Sequence, residues 1–293
     1  MSQEHRNTIC IEDAGILQHT AHADDQYVLR LAAPRCAARA RPGSFVHIQC
    51  AADIPMRRPL SIMRTNAADG WVEVLYKVMG SGLRQLATAE PGETVSMLGP
   101  IGNGFATDAD RPTAVLIGGG VGIPPLIFLA ETLHAQARKD ARPVAFFGSE
   151  IPFPFDLTDT AVALPGAPTE ANRAIALLDD KGIPSRLATT AGFAGCYAGY
   201  VTELAREWLA TLPDDELGKI MFYSCGPEPM LEAVANLARS FNLSSQLCLE
   251  EYMACAVGGC AGCAVEVQTD DGPAMKRVCV DGPVFAGEAI YPG

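Results

Sequence analysis

Aromatic residues and positive charges are both scarce in this chain of 293 residues. Phe, Trp and Tyr make up 7% of the sequence, and 22 Lys and Arg residues are outnumbered by 34 Asp and Glu residues, which leaves a net charge of -12. A protein that binds nucleic acid needs a basic surface for the phosphates and, for single strands, aromatic side chains for stacking. This composition therefore excludes nucleic acid as a partner, while 48% apolar residues indicate an ordinary globular protein.

Segments that would enter or cross a membrane are also lacking. Residues 1–7 are polar and charged, without the apolar core of a secretory signal peptide. Residues 114–130 form an uncharged run, but glycines and prolines interrupt it: Gly118, Gly119, Gly120, Gly122, Pro124 and Pro125. A strand, a loop and a helix explain this run better than a membrane span. We expect a cytoplasmic protein with no membrane partner.

The order of predicted elements changes partway along the chain. Up to about Asp108, short β-rich segments at residues 27–31, 45–50, 71–78 and 94–98 are separated by turn residues. Such a series is typical of a small antiparallel barrel. From Thr113, apolar strands alternate with helices, which predicts a doubly wound parallel α/β domain. The strands predicted there are 115–117, 144–147, 186–189 and 220–223, and the predicted helices include 201–209 and 230–239.

The composition changes again after Leu247, where glycine and cysteine become frequent. Such a shift indicates a third, small domain. We therefore predict a multidomain protein with three parts: a β-barrel over residues 1–108, an α/β domain over 109–247 and a cysteine-rich domain over 248–293.

Ten cysteines in a protein expected in a reducing compartment indicate metal or redox chemistry and not disulfides. Four of them form Cys255-x4-Cys260-x2-Cys263 with Cys279 further on, which is the plant-type spacing for a [2Fe–2S] cluster. The residues between them are small, so backbone N–H groups can approach the sulfurs: Ala256, Gly258, Gly259, Ala261 and Gly262. A structural zinc site and free thiols are the alternatives. Zinc usually takes two close Cys or His pairs, whereas this segment has one such pair and no histidine.

Two segments of the predicted barrel suit a flavin. In Arg57-Arg58-Pro59-Leu60-Ser61, Arg58 would face the FAD pyrophosphate, Leu60 would lie against the isoalloxazine and Ser61 would hydrogen-bond near its reactive nitrogen. The alternative for the two adjacent arginines is a solvated strand end. Gly80-Ser81-Gly82-Leu83 opens a predicted helix, whose free N–H groups would receive phosphate.

Two turns of the predicted α/β domain indicate a dinucleotide site. Residues 118–125 directly follow a predicted strand, and Gly119, Gly120 and Gly122 would let the backbone approach the ligand. The loop departs from G-x-G-x-x-G because Ile123 stands where the last glycine would be. The second turn, Cys225-Gly226-Pro227, lies at the sheet edge where α/β domains bind ligands, near the expected nicotinamide. The alternative for Cys225 is a buried thiol that fills the core.

Glu150 lies just past the second predicted strand of the α/β domain. Its carboxylate would accept hydrogen bonds from an adenosine ribose, and such a contact favours NAD over NADP. A plain surface glutamate is the alternative interpretation.

Several segments occur in the order found in ferredoxin–NADP reductase-like proteins. They are residues 58–61, Leu98-Gly99-Pro100-Ile101-Gly102-Asn103-Gly104-Phe105, the loop 118–125, Ser224-Cys225-Gly226-Pro227 and the four cysteines. The chain's last segments narrow the resemblance to the electron-transfer subunits of NAD-dependent (class 1B) bacterial dihydroorotate dehydrogenase. These segments are Met253-Ala254-Cys255, Cys260-Ala261-Gly262-Cys263 and Cys279-Val280-Asp281-Gly282-Pro283-Val284-Phe285. One departure is Leu83, where the family commonly has a threonine whose hydroxyl contacts phosphate.

This resemblance implies an N-terminal FAD barrel, a central NAD domain and a C-terminal [2Fe–2S] domain. The implied FAD contacts are Arg58, Pro59, Leu60, Ser61, Leu75, Tyr76, Lys77, Gly82 and Leu83. The implied ligands of the cluster are Cys255, Cys260, Cys263 and Cys279. Ser61, beside the flavin, and Cys225, beside the nicotinamide, are the candidate catalytic residues.

The implied function is that of an electron-transfer subunit in pyrimidine biosynthesis. Electrons would pass from dihydroorotate, through FMN in a separate catalytic subunit, to [2Fe–2S], FAD and finally NAD+, in a heterotetramer with two copies of each subunit. Alone, the chain would show NADH:acceptor activity and would not oxidise dihydroorotate, since it has no room for an FMN-binding barrel. Two alternatives stay open. One is a reductase module for another partner, such as a hydrogenase, a sulfide-linked reductase or ferredoxin, and the other is a zinc-bearing interaction protein.

Overall fold

The computed structural model describes residues 9–136 and 142–293. The chain forms two compact units, each of which is discontinuous in sequence. The first combines the residues up to Phe105 with Leu249–Val284, and the second combines Ala106–Cys248 with Phe285–Gly293. The division into domains after residues 108 and 247 stays a prediction. The expectation that residues 1–7 carry no signal peptide concerns residues outside the described ranges.

The first unit begins with a barrel of six strands. Its elements are β1 (Cys10–His22), β2 (Gln26–Ala32), α1 (Pro34–Ala37), β3 (Phe45–Ile48), β4 (Arg58–Asn66), β5 (Trp71–Lys77), α2 (Gly80–Leu86) and β6 (Thr94–Ile101). The strands pair antiparallel in the closed order β1-β2-β5-β4-β3-β6. Apolar side chains at alternate strand positions form its core: Leu29, Leu31, Val46, Ile48, Val72 and Val74 are fully buried. The predicted antiparallel barrel is confirmed.

Strands β1 and β4 are absent from the strands predicted from sequence. β1 carries Glu12, Asp13 and Gly15, which are poor strand formers, and β4 begins with an arginine and a proline. In the structure β4 lies between β3 and β5, with Pro59 opposite His47 and Ser61 opposite Phe45. The segment predicted to bind flavin is therefore part of the barrel wall, and its two arginines stand half-buried at the start of β4.

The second unit alternates strands with helices. Its elements are β7 (Thr113–Gly119), a 3-10 turn (Gly120–Gly122), α3 (Ile123–Ala135), β8 (Arg142–Gly148), β9 (Leu157–Asp159), β10 (Arg173–Ile175), α4 (Ala176–Asp179), β11 (Ser185–Thr189), β12 (Tyr197–Ala198), α5 (Val201–Leu209), α6 (Asp214–Leu217), β13 (Ile220–Cys225), α7 (Glu228–Ser240) and β14 (Ser244–Cys248). The predicted helix 201–209 coincides with α5, which carries its buried residues on one face. In the described ranges no helix is both long and apolar enough to span a membrane.

The chain then returns to the first unit with the cysteine-rich segment. A loop from Leu249 leads into the antiparallel hairpin β15 (Ala264–Thr269) and β16 (Gly272–Arg277). After a short turn, β17 (Val284–Ala286) and α8 (Gly287–Ile290) end the chain, and β17 joins the sheet of the second unit. The hairpin separates the first three clustered cysteines from Cys279, which follows β16.

The sheet of the second unit has the order β12-β11-β8-β7-β13-β14-β17. Strands β12 through β14 pair parallel, so their carboxyl ends share one edge. From β7 the chain moves outward through β8 and β11, and later restarts on the other side at β13. Ligands of doubly wound sheets bind at such a switch point, outside the carboxyl ends of the two central strands. The predicted parallel α/β architecture is confirmed, and its switch point lies between β7 and β13.

Candidate cofactor sites

The cysteine loop, residues 255–263, has an unusual backbone. Ala256 and Ala261 both adopt the left-handed conformation, with φ of 54° and 55°, and Gly258 has φ of 80°. Non-glycine residues visit this region rarely, because the Cβ atom crowds the carbonyl oxygen. Here three such residues fall within six positions, so the chain between Cys255 and Cys263 turns repeatedly instead of running as a strand.

The four thiols are arranged as two pairs. Cys255 and Cys260 share a side-chain hydrogen bond, and so do Cys263 and Cys279. Within residues 9–136 and 142–293, no group of three or more His, Cys, Asp or Glu side chains surrounds a single metal position. A [2Fe–2S] cluster takes two thiolates on each of its two irons. The donor set, four thiols in two pairs, fits such a two-iron cluster.

Backbone N–H groups in the loop favour thiolates. Burial alone raises the pKa of Cys255, but hydrogen bonds from the backbone of Val257, Cys260 and Gly259 outweigh it and lower this pKa to about 7. The N–H of Gly262 also donates to Sγ of Cys260 over 3.4 Å. Since the thiolate is the form that binds metal, these donors suit a cluster site.

The inner pair of thiols is shielded from water. Cys263 is 3% exposed and Cys279 is 1% exposed, whereas Cys260 is an exposed residue. Burial, together with the neighbouring Cys263, raises the pKa of Cys279 to about 12. A thiol in this environment binds metal only because the ion's own charge removes the proton. The site thus has one water-facing corner, at Cys260, and one buried side.

Arg277 joins the two parts of the cysteine site. Its guanidinium donates to the carbonyl oxygen of Gly258 over 2.8 Å, and its backbone N–H donates to the carboxylate of Asp281 over 2.7 Å. Next to it, the N–H of Val278 donates to the carbonyl oxygen of Cys263 over 3.0 Å. Sequence reasoning missed Arg277, although its position two residues before a predicted ligand was a signal.

Arg58 and Gly82, both predicted to contact FAD, are brought together in the first unit. A Cβ atom on Gly82 would lie 2.9 Å from Nη2 of Arg58, so only glycine lets the guanidinium lie flat against this backbone. Nη1 of Arg58 donates to the carbonyl oxygen of Met56 over 2.7 Å, which fixes the plane of the guanidinium group. The pair forms a cationic cradle that a side chain would fill, and such a cradle fits a pyrophosphate.

Arg57 has a different role from its neighbour. It donates to the carbonyl oxygen of Ser96 over 2.7 Å, to the Ser96 hydroxyl over 2.8 Å and to the carbonyl oxygen of His47 over 3.3 Å. These bonds tie β4 to β3 and β6 inside the barrel wall. Of the two adjacent arginines, Arg57 is therefore structural, and Arg58 is the candidate ligand-binding residue.

The other predicted flavin residues lie on both faces of their strands. Leu60, Leu75 and Leu83 are buried, and Pro59, Ser61 and Lys77 are half-buried. Tyr76 faces the opposite way from its neighbours on β5. Its hydroxyl hydrogen-bonds Nε2 of His19 over 2.8 Å, and its ring stacks on Tyr27 with centroids 5.4 Å apart. The predicted role of each of these residues toward FAD stays a prediction.

In the second unit, the two turns predicted to bind a dinucleotide meet at the switch point. A Cβ atom on Gly122 would lie 2.4 Å from the carbonyl oxygen of Cys225, and one on Gly119 would lie 2.6 Å from Sδ of Met230. Cys225 lies opposite Gly118 in the parallel register of β13 and β7. Glycine is required because the two backbones approach so closely. Met230, which sequence reasoning did not single out, covers this contact.

Cys225 and Glu150 lie near the same sheet edge. The thiol of Cys225 is fully buried. Glu150 follows β8 and accepts hydrogen bonds from the backbone N–H of Thr190 over 3.3 Å and from its hydroxyl. Thr190 follows the neighbouring strand β11, so it holds the carboxylate at the carboxyl edge. The roles of Cys225 at nicotinamide and of Glu150 at ribose stay predictions.

His47 is a buried histidine next to the flavin segment. It is fully buried on β3, and burial lowers its pKa to about 4, with Arg57 acting in the same direction. The imidazole is therefore neutral at neutral pH. Met253, two residues before the cysteine loop, also contacts it through its backbone.

The chain matches one family model and proteins that are named as electron transfer subunits. The family model described as the iron–sulfur cluster binding domain of dihydroorotate dehydrogenase B matches residues 250–291. The chain is 36% identical over 273 residues to the protein of Bacillus caldolyticus named dihydroorotate dehydrogenase B (NAD(+)), electron transfer subunit, covering 92% of this chain and 94% of that one. The protein of the same name from Caldanaerobacter subterraneus subsp. tengcongensis is 31% identical over 250 residues, covering 85% and 86%.

Solved structures share the fold. The structure of an NADH-dependent reduced ferredoxin–NADP oxidoreductase matches with a TM-score of 0.73 at 24% identity, covering 95% of this chain and 90% of that one. A ferredoxin NADP+ reductase from Neisseria gonorrhoeae, with bound FAD and NADP, matches with a TM-score of 0.56 at 16% identity, covering 79% and 91%. At these identities the likeness concerns the fold, and it agrees with the predicted fold class.

Proposed function

The chain belongs to the family of electron-transfer subunits of dihydroorotate dehydrogenase B, and we propose that it carries electrons from a dihydroorotate-oxidising partner subunit to NAD+ in pyrimidine biosynthesis. The observation that carries this proposal is the arrangement of four cysteine thiols as two pairs. When bound, a [2Fe–2S] cluster takes single electrons and FAD exchanges a hydride with nicotinamide, so the two together convert between one- and two-electron transfer.

The cysteine site would hold the cluster with one thiol pair on each iron. Cys255 and Cys260 form one pair, and Cys263 and Cys279 form the other. The donated N–H groups stabilise the thiolate charge, and burial of the second pair keeps water from that side. Both factors adjust the reduction potential of an iron–sulfur centre.

The barrel would hold FAD through the cradle of Arg58 and Gly82. A guanidinium offers parallel N–H donors to two phosphate oxygens, and the glycine backbone adds close approach. The remaining FAD contacts are carried over from the family by position. They are Pro59, Leu60, Ser61, Leu75, Tyr76, Lys77 and Leu83. Leu83 offers a backbone N–H but no hydroxyl, so Arg58 would carry more of the phosphate charge.

The second unit would hold NAD(H) at its switch point. Gly120, whose Cβ position meets nothing within 4 Å, would let the dinucleotide approach the backbone, and Gly119 and Gly122 would keep this loop close to the Cys225-Gly226-Pro227 turn. The Glu150 carboxylate would accept from the adenosine ribose hydroxyls and repel the 2′-phosphate of NADP. Ser61 at the flavin and Cys225 at the nicotinamide are the proposed catalytic residues.

We further propose the assembly in which the chain acts. The partner is an FMN-containing catalytic subunit, and two copies of each subunit form a heterotetramer in the cytoplasm. The support comes from the relatives, which are named as electron-transfer subunits of a larger enzyme. By itself, the chain would oxidise NADH with artificial acceptors and would not oxidise dihydroorotate.

The first test is the visible absorption spectrum of anaerobically purified protein during titration with NADH. Flavin and iron–sulfur bands that bleach on NADH addition would support the cofactor assignment. Iron and sulfide analysis should give two of each per chain, as a [2Fe–2S] cluster requires. A colourless protein that contains zinc would overturn the proposal and favour the interaction protein.

The second test concerns the partner. The chain is co-expressed with an FMN-containing dihydroorotate-oxidising subunit, and NAD+ reduction by dihydroorotate is followed for each subunit alone and for both together. We expect activity only with both. Full cofactor content without any coupled activity, or without co-purification of the two subunits, would favour a hydrogenase, a sulfide-linked reductase or ferredoxin as the redox partner.

A further inference from the structure

The segment Leu98-Gly99-Pro100-Ile101-Gly102-Asn103-Gly104-Phe105 carries part of the family resemblance, yet the proposed function gives it no role. It covers the end of β6, the strand that closes the barrel next to β1 and β3. Beyond Ile101 the chain leaves the strand and runs beside the turn that follows Cys279. A parallel bridge pairs Asn103 with Pro283 at this point.

Asn103 makes three hydrogen bonds to this turn. Its side-chain Nδ2 donates to the carbonyl oxygen of Val280 over 3.3 Å and to that of Asp281 over 3.0 Å. Its backbone N–H donates to the carbonyl oxygen of Gly282 over 2.6 Å. The acceptors are the three consecutive carbonyl groups that directly follow the ligand Cys279. One residue just beyond β6 therefore hydrogen-bonds to all three carbonyl groups behind the fourth cysteine.

The chemistry of the side chain fits this role. Among the residues that the structure describes, Oδ1 of Asn103 is a buried atom without a hydrogen-bond partner. Both acceptors near the amide are carbonyl oxygens, so only its NH2 group can satisfy them. Aspartate, of nearly the same shape, would place a carboxylate oxygen against two carbonyl oxygens. The site thus requires a donor and not merely a side chain of this size.

The neighbouring glycines bring the two segments close together. A Cβ atom on Gly102 would lie 2.4 Å from Cδ of Pro283, and one on Gly104 would lie 2.3 Å from the carbonyl oxygen of Pro42. Neither position has room for a side chain, so the backbone of this segment packs directly against Pro283 and Pro42. Asn103 stands between them as the residue whose side chain enters the turn.

The Cys279 turn is thus held from two sides. On one side, Arg277 and Asp281 fasten it to the hairpin and to the loop of the other three ligands. On the other side, Asn103 fastens it to the barrel, whose strand β4 carries Arg58. The fourth ligand therefore has a fixed place relative to the wall of the barrel.

We propose that Asn103 is a positioning residue for the iron–sulfur cluster, acting through the backbone of the turn that follows Cys279. This inference rests on the proposed cluster at the four cysteines. Loss of the Nδ2 donor leaves the carbonyl groups of Val280 and Asp281 without this hydrogen bond. The turn then moves, and water reaches the buried thiols of Cys263 and Cys279. Residues that orient metal ligands in this way typically affect metal retention by about 10- to 100-fold.

The test compares Asn103→Ser, which removes the amide without adding charge, with Asn103→Asp, which reverses the polarity. Asn66→Asp is the matched control, because Asn66 lies in the same barrel and its side chain bonds only its own turn, at Ala68 and Asp69. The proteins are purified anaerobically with FAD bound. The readouts are the EPR spectrum of the reduced cluster, the rate of cluster loss to an iron chelator and the flavin absorbance.

Both Asn103 variants should lose the cluster about 10- to 100-fold faster than the wild type, with the aspartate faster than the serine. Their EPR lines should shift or broaden, while flavin content and the Asn66→Asp control keep wild-type values. Wild-type EPR lines and chelation rates in both variants would overturn the proposal. Equal loss of FAD and cluster in both variants would also overturn it, since Asn103 would then support the whole barrel. A wild-type protein without any EPR signal would instead contradict the proposed function.

Discussion

The guanidinium of Arg277 donates a hydrogen bond of 2.8 Å to the carbonyl oxygen of Gly258, 19 residues earlier in the chain. Gly258 lies in the left-handed part of the cysteine loop, and a Cβ atom there would lie 3.0 Å from the side chain of Val280. The arginine thus links the loop that carries three of the proposed ligands to the turn that follows the fourth, Cys279. It does so with a charged donor and without becoming a ligand itself.

Replacing Arg277 with methionine keeps the apolar stem and removes the guanidinium. Loss of a hydrogen bond to a charged group costs about 1.5–3 kcal/mol, and we expect the lower end because the Arg277 side chain is 35% exposed. Iron and sulfide per bound FAD should fall after purification. Lys276→Met, one position earlier on β16, is the control. Equal iron content in both variants would argue against the link.

Gly82→Ala should weaken FAD binding while the barrel still folds. The new Cβ atom would lie 2.9 Å from Nη2 of Arg58, and the flexible guanidinium can move away from it. Displacing this charged donor from the phosphates would cost about 10- to 100-fold in FAD affinity. Fluorescence titration of the deflavinated protein with FAD measures the affinity. Gly15→Ala in β1, whose nearest neighbour is the Ala32 Cβ at 4.0 Å, is the control. Unchanged affinity in Gly82→Ala would contradict the cradle.

Gly122→Ala should impair the use of NADH and leave both bound cofactors intact. Its Cβ atom would lie 2.4 Å from the backbone carbonyl of Cys225, which cannot move without displacing the turn. A shift of about 1 Å in a binding site can cost on the order of 100-fold in rate. Stopped-flow reduction of the flavin by NADH reports the effect. Gly218→Ala, with only the Asp214 carbonyl oxygen at 3.7 Å, is the control in the same unit. Normal reduction kinetics in Gly122→Ala would exclude this turn from the NADH site.

Glu150→Gln tests the preference for NADH. The amide keeps the size of the side chain, but it no longer repels the 2′-phosphate of NADPH. Like charges brought together cost several kcal/mol, so the ratio of kcat/KM for NADH to that for NADPH should fall about tenfold or more. Glu170→Gln, at an exposed position of the same unit, serves as the control. An unchanged ratio of the two kcat/KM values would contradict this role and show that Glu150 serves only as the hydrogen-bond acceptor for Thr190.

His47 makes stability depend on pH. Burial lowers its pKa to about 4 in the folded protein, whereas an unfolded histidine titrates near 6.5. Between these values the unfolded chain binds the additional proton, so stability is full above pH 6.5 and is lost as the pH falls toward 4. The loss amounts to about 3 kcal/mol, at 1.36 kcal/mol per pKa unit.

The measurement for His47 is urea unfolding at several pH values. His47→Gln, which cannot take up the proton, should flatten the slope between pH 6.5 and 4. His22→Gln, at the end of β1, should keep the wild-type slope. If the slope survives in His47→Gln, other groups cause the acid sensitivity.

Local patterns in the sequence predicted the elements that bury one face. Helix α5 was predictable to the residue because Val201, Leu204, Ala205 and Trp208 recur at helical spacing. The proximity of the four cysteines was also predictable from their spacing, whereas their role as cluster ligands stays a prediction. Strand β4 escaped prediction although it carries Arg58, because its arginines and proline obscure the alternation of a strand.

Contacts between distant segments were not predictable. Asn103 reaches Val280 across 177 positions, and Glu150 reaches Thr190 across 40. No periodic pattern in the local sequence indicates such pairs, since they depend on which turns the fold brings together. For the same reason the sequence did not show that the two adjacent arginines have different partners. Arg57 hydrogen-bonds to Ser96 of β6, and Arg58 lies against Gly82. Adjacent in sequence, they were indistinguishable until their partners were known.

The discontinuity of the first unit sets an order of events at the ribosome. Asn103 leaves the tunnel 177 residues before Val280, the partner that follows the fourth ligand. At the usual 5–20 residues per second, roughly 10 to 35 s of synthesis separate the two. During that interval the ribosome synthesises residues 106–248 of the second unit and most of the cysteine-rich segment, whereas residues 285–293 of the second unit follow later. The four proposed ligands are all present only once Cys279 has been translated, so the proposed cluster site is completed after the barrel and after residues 106–248 of the second unit.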